Sequence, residues 1–199
     1  MTTSPIFTLQ AIRQDFEPLS TSRMLVRFQD CDPFGHLNNI RYLDYFLNAR
    51  DNQVTHDYGV SLYDFIQKEK KGWVILKNEI AYLRAVACGS EVTVRTATVY
   101  FSDYEAIVEG RMLDKEEQNL HALLWMRLAF FDITTGRRIK HDPDIQAFFE
   151  VVRLKEFDAQ TTTFDQRVQD LQKYYRAKKR QSQAAHLPKC QDSPKHFEP

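Results

Sequence analysis

Residues 30–42, Asp-Cys-Asp-Pro-Phe-Gly-His-Leu-Asn-Asn-Ile-Arg-Tyr, concentrate most of the groups of this chain that could do chemistry. Asp30 and Asp32 are carboxylates two positions apart, able to raise each other's pKa if they lie close. Asp30 also suits a turn or a strand end. Asp32 precedes Pro33, a common way to start a turn. Cys31 between them offers a thiol, but a reactive thiol needs an activating neighbour, and none is placed by sequence. Free cysteine usually packs as a small hydrophobe. Gly35 permits a sharp turn and lets a ligand approach the backbone closely. Its N–H, or a neighbouring one, is a candidate oxyanion donor. His36 could orient water or substrate, or simply bond across the turn. Asn38 and Asn39 are equally good as helix caps and as ligands to a water. Tyr42, one turn into a helix, either lines a pocket or packs in the core.

These residues need a strand and a helix to hold them. Upstream, Met24, Val26 and Phe28 alternate with Arg23, Leu25 and Arg27, which predicts a strand over 24–29. Downstream, Ile40, Leu43, Leu47 and Val54 recur near helical spacing, which predicts a helix over 39–57 with Gly59 beyond its end. The junction points a carboxylate and a helix N-terminus into one space, where free N–H groups and the helix dipole favour negative charge. Next come a short helical turn and loop over 60–71, and then four strands, 73–85, 91–101, 104–113 and 120–133. The second is rich in β-branched residues. Short links between consecutive strands demand antiparallel pairing. One helix against such a sheet is an α+β layer arrangement. Beyond Arg137, a short helix over 144–152 and an amphipathic helix over 163–185 follow, the latter basic over 173–180.

The set Asp32, Gly35, His36, Asn38, Asn39 and Tyr42 resembles the signature of the hotdog-fold acyl-CoA thioesterases of the 4-hydroxybenzoyl-CoA thioesterase type. A second similar patch runs from Glu79 to Ala85, followed by Gly89. The family pattern has a proline near Ala85 and an acidic residue near Ser90, and this chain departs from it at both positions. The resemblance covers about residues 23–132. It implies a hotdog fold, an antiparallel sheet of about five strands wrapped around one long helix. It implies hydrolysis of an acyl-CoA thioester to free acid and coenzyme A. Asp32 would be nucleophile or general base, with Gly35 and His36 beside it as catalytic groups and Asn38, Asn39 and Tyr42 binding substrate. Backbone N–H groups at the helix start would polarise the carbonyl. No metal and no cofactor beyond the substrate's own coenzyme A are implied. Arg84, Arg137 and Arg138 could meet the coenzyme's phosphates. A homodimer or homotetramer is implied, with active sites at the subunit interface.

Two rivals remain. An acyl-carrier-protein thioesterase would use the basic helix to meet an acidic partner, and a non-catalytic acyl-CoA-binding hotdog protein would only hold the ligand. The hydratases of this fold space Asp and His more widely than Asp32 and His36. Zero formal net charge, from 27 basic and 27 acidic residues, argues against a general nucleic-acid or membrane-surface binder. No apolar run approaches the roughly 20 residues of a membrane span. Three cysteines without a pairing pattern read as free thiols in a reducing, cytoplasmic setting. The expected organisation is an N-terminal arm over 1–20, a hotdog domain over 21–152, a helical extension over 153–185 and a disordered tail over 186–199.

Overall fold

The computed structural model describes Phe7 and residues 9–185. The tail expected over 186–199 and most of the first eight residues lie outside them. Five antiparallel strands form the sheet: β1 (Ser20–Leu25), β2 (Lys71–Tyr82), β3 (Glu91–Phe101), β4 (Glu105–Asp114) and β5 (Leu120–Asp132). Their order is β1-β3-β4-β5-β2, and the two-residue β6 (Arg137–Arg138) pairs with β5. The long helix α1 (Tyr42–Tyr58) lies against one face, and the fold is the hotdog. Among the described residues, no helix is long and apolar enough to cross a membrane.

The face under α1 is built by alternation. Val92 and Val94 of β3, Val108 and Met112 of β4, and Leu124 and Met126 of β5 pack with Tyr45, Phe46 and Ala49 of α1. Gly110 makes the closest approach possible, since a Cβ there would stand 2.6 Å from the Phe46 ring. At the other end of α1, Val54 and Tyr58 join an aromatic cluster with Phe65 of α2 (Leu62–Glu69) and Phe148 and Phe149 of α3 (Pro143–Val152). Phe7 of the N-terminal arm is buried in the same cluster. The segment after Val60 is thus a two-turn helix running straight into β2, more ordered than the turn and loop expected there.

The first strand differs from expectation. It stops at Leu25, because its partner β3 starts at Glu91, opposite Leu25. Residues Phe28–Asp30 form a 3-10 turn instead, and Phe28, which alternation would turn inward, is 88% exposed.

The second face of the sheet is covered by the chain itself. Ala97, Val99, Ile107 and Trp125 pack beneath Leu154, Phe157 and Phe164, and Leu113 and Leu123 beneath Leu171 and Tyr175 of α4 (Phe164–Ala185). A single helix would have left this face bare. Beneath α4 lies an ion network. Glu109, fully buried, accepts from Arg111 Nε at 2.8 Å and from Arg167 Nε and Nη2 at 2.9 and 3.0 Å. Trp125 Nε1 donates to the same carboxylate at 2.9 Å, and Glu156 joins both arginines. Burial alone would raise the Glu109 pKa, but the two guanidiniums and the indole N–H hold it below the usual carboxylate range.

Candidate active site

Residues 30–38 fold into a tight hairpin-like turn. Cys31 pairs with Leu37, the Asp32 N–H donates to the His36 carbonyl at 2.8 Å, and the Gly35 N–H donates to the Asp32 carbonyl at 3.0 Å. Gly35 sits at φ +77°, a conformation side-chain-bearing residues rarely adopt. The turn is held from outside by residues 83–90. Leu37 N–H donates to the Val86 carbonyl, and Cys88 N–H to the Gly35 carbonyl, each at 2.8 Å.

Within this frame Asp32 is half-buried, and its two oxygens have different surroundings. Oδ1 accepts from the Phe34 N–H at 2.9 Å and the His36 N–H at 3.1 Å. Oδ2 has no partner among the described residues. The carboxylate is therefore oriented by two backbone donors while one oxygen stays available. The His36 backbone, not its ring, closes the turn, and the imidazole makes no hydrogen bond among the described residues.

The neighbouring groups divide between structure and opportunity. Asp30 accepts from Tyr45 Oη at 2.8 Å and lies 3.9 Å from Arg41, so it fastens the turn to α1. The Cys31 thiol is pushed up to about 11 by its hydrogen bond with Cys88, by burial and by the adjacent carboxylates, so it stays protonated at neutral pH. Asn38 accepts from the Ile40 N–H at 3.2 Å, capping a 3-10 turn, Asn39–Arg41, that leads into α1. Asn39 is exposed, its carbonyl accepts from Tyr82 Oη at 2.9 Å, and its own N–H has no partner among the described residues. The Gly35 N–H is already engaged within the turn, so the Asn39 N–H is the more available donor. Tyr42 is buried in the core with its ring edge-on to Tyr82, and burial pushes its hydroxyl pKa up.

An apolar cavity of about 390 Å³ opens along the flank of α1, lined by Leu47, Val54, Trp73, Ile75, Val108 and Met126 among others. Phe7, Phe148 and Phe149 form part of its wall. Sequence reasoning missed this cavity because the segments that form it are far apart in the chain. Of the candidate phosphate contacts, Arg138 is tied to Glu105 at 2.9 Å, while Arg84 lines a different cavity together with residues of the C-terminal helix. No group of three or more His, Cys, Asp or Glu among the described residues could hold a metal ion.

Comparison with known proteins fits this geometry. The model of the thioesterase-like superfamily matches residues 26–149, the turn and most of the sheet. The chain belongs to that superfamily. Thioester hydrolysis is accordingly its reaction class. Among solved structures, this thioesterase-like chain is similar to a DHNA-CoA thioesterase from Staphylococcus aureus, with a TM-score of 0.61 and 18% identity over 67% of this chain and 90% of that one. It is similar to a putative oleoyl thioesterase from Lactobacillus plantarum, with a TM-score of 0.61 and 20% identity over 66% of this chain and 50% of that one. It is also similar to a 1,4-dihydroxy-2-naphthoyl-CoA thioesterase from Synechocystis, with a TM-score of 0.60 and 15% identity over 65% and 94%. At these identities the likeness establishes the fold. Comparison with curated proteins finds no match.

Proposed function

We propose that this protein hydrolyses an acyl-CoA thioester to the free acid and coenzyme A, with Asp32 as nucleophile or general base. The observation that carries the reading is the divided environment of Asp32, one oxygen held by two N–H groups and the other unpartnered among the described residues, in the turn that leads into α1. As a nucleophile, Oδ2 attacks the thioester carbonyl, the C–S bond breaks, and water then cleaves the resulting anhydride. As a base, Asp32 takes a proton from the attacking water, and that proton passes to the departing thiolate. In both routes the carbonyl oxygen gains negative charge. The Asn39 N–H and the positive end of the helix are the donors suited to receive it. The His36 imidazole is free to orient water or the thioester. Asn38 serves by capping, and Tyr42 by setting the floor of the site from the core. The acyl group enters the apolar cavity beside α1, whose lining suits a hydrocarbon or aryl chain. No cofactor takes part beyond the substrate's coenzyme A, and the setting is cytoplasmic.

The same reading includes a homodimer built on β2. This twelve-residue strand ends the sheet, with Val74, Leu76 and Tyr82 exposed along it and Ile40 exposed at the helix start beside Tyr82. An unpaired apolar edge of this length pairs readily with a second copy, and the covered back face leaves this edge as the surface for association. The test is a panel of acyl-CoA esters of increasing chain length and of aryl acids, assayed for thiol release, with light scattering at micromolar protein. Hydrolysis by a dimer is expected. A folded protein that cleaves no member would overturn the reaction, and an active monomer would overturn the shared interface.

A further inference from the structure

Between α4 and the sheet's end lies a polar cavity of about 230 Å³, separate from the acyl cavity and from the Glu109 network. Its lining includes three cations, Arg84, Arg176 and Lys179, three side-chain amides, Gln118, Asn119 and Gln172, and no carboxylate. Lys179 Nζ donates to Asn119 Oδ1 at 3.1 Å. The side chains of Arg84 and Arg176 are exposed and carry neither hydrogen bond nor ion pair among the described residues. Asp114, the acceptor beside Asn119, is occupied by the Gln118 and Asn119 N–H groups and the Asn119 amide. A neighbouring cavity under α4 shows the contrast. It is lined by Arg95, Arg111 and Arg167, but Glu117, Glu109 and Glu156 already pair with them. Unpaired cations around a concave site, with amide donors between them, are a setting for phosphate oxygens.

The position matters as much as the charge. Arg84 begins the connection whose later residues hold the catalytic turn, through Val86 to Leu37 and Cys88 to Gly35. Two residues of extended chain and two strand spacings put the Arg84 backbone on the order of 10–15 Å from Asp32. A pantetheine arm spans a distance of that kind between a thioester and the phosphates of its nucleotide. We infer that the Arg84–Arg176–Lys179 groove binds the phosphates of the coenzyme A nucleotide while the thioester lies at Asp32. The inference takes its ligand from the thioesterase reading above. Arg176 and Lys179 lie on α4, beyond the matched residues 26–149, so this grip is an addition of this chain.

The experiment has two arms. Adenosine 3′,5′-bisphosphate, which has phosphates and no thioester, is titrated calorimetrically into the full-length protein and into R84Q/R176Q. Matched acyl-CoA and acyl-pantetheine substrates are then assayed with both proteins. The bisphosphate should bind wild type in a salt-sensitive manner and the double variant at least tenfold more weakly. The variant's kcat/KM should fall at least tenfold for acyl-CoA relative to acyl-pantetheine, with an unshifted melting temperature because both side chains are exposed. Equal bisphosphate binding by the two proteins would overturn the inference. So would equal losses on both substrates. If the bisphosphate binds through these arginines but no thioester is cleaved, the groove stands and the reaction assigned to Asp32 falls.

Discussion

Asp32 and Glu109 are both carboxylates gripped by N–H donors, one in the turn that leads into α1 and the other on the strand face that α4 covers. Glu109 has no exposed surface, and both its oxygens are taken, by two arginines and an indole. Asp32 is half-buried, and its donors take one oxygen only. The first arrangement is closed, so every lone pair that counts is spent on joining α4 to the sheet. The second is open, so orientation is secured while reactivity is kept. The difference separates a carboxylate committed to structure from one left able to react. Strength of grip does not separate them, and the oxygen left over does.

The comparison is broken most forcefully at Glu109. Replacing it with Ala leaves Arg111 and Arg167 buried without their shared partner, and breaking a buried pair this way costs about 3–5 kcal/mol. Urea unfolding should show that loss, and an unchanged midpoint would mean that α4 is held by its apolar contacts alone. Acid sharpens the point. His141 is buried and neutral, accepting from Trp73 Nε1, with its pKa lowered by burial. Its contribution is complete above its ordinary 6.5 and is lost as pH falls below that value. The lowered pKa of Glu109 gives a second contribution, present above its ordinary 4.5 and lost as pH falls through the folded value. Stability should therefore descend in two steps, and Glu109→Gln should weaken the lower one.

At Asp32 the loss should appear in turnover instead. Asp32→Asn keeps an oxygen for the Phe34 and His36 N–H groups but removes the charge and basicity. Turnover should fall at least about 100-fold, the usual cost of losing a general base. The melting temperature should move little, since Asn serves well in turns. Near-normal turnover in the folded variant would shift suspicion to His36.

What was legible in the sequence follows from range. Alternation found the four long strands β2 to β5 but set the first strand at 24–29, of which only Met24 and Leu25 belong to β1, and the spacing of Leu43, Leu47 and Val54 found α1. The turn was legible because Asp32, Gly35 and His36 interact within five residues of chain. The end of β1 was not, because Phe28 continues the alternation and only the start of β3 shows that pairing has stopped. Glu109 reads locally as an ordinary strand residue, and its partner Arg167 lies 58 residues away. The cationic groove has the same character. Arg84 and the basic helix were each visible, but only the docking of α4 through the Glu109 network brings them together.

The smallest effect is expected at Asp30, two residues from Asp32 and easily mistaken for its partner. Its carboxylate accepts from Tyr45 Oη at 2.8 Å and faces Arg41 at 3.9 Å, an ion pair open to solvent on the arginine side. An exposed pair of that kind contributes about 0–1 kcal/mol. Asp30→Asn retains an acceptor for Tyr45, so the hydrogen bond persists and only the charge is lost. Stability should fall by less than about 1 kcal/mol. Turnover should drop by well under the 100-fold expected for Asp32→Asn, because both Asp30 oxygens face partners, Oδ2 the Tyr45 hydroxyl and Oδ1 the Arg41 guanidinium. Parallel assays of the two variants on one acyl-CoA decide it. Equal losses would mean that the two carboxylates act together, and the division between a closed and an open carboxylate would fail at the site where it matters most.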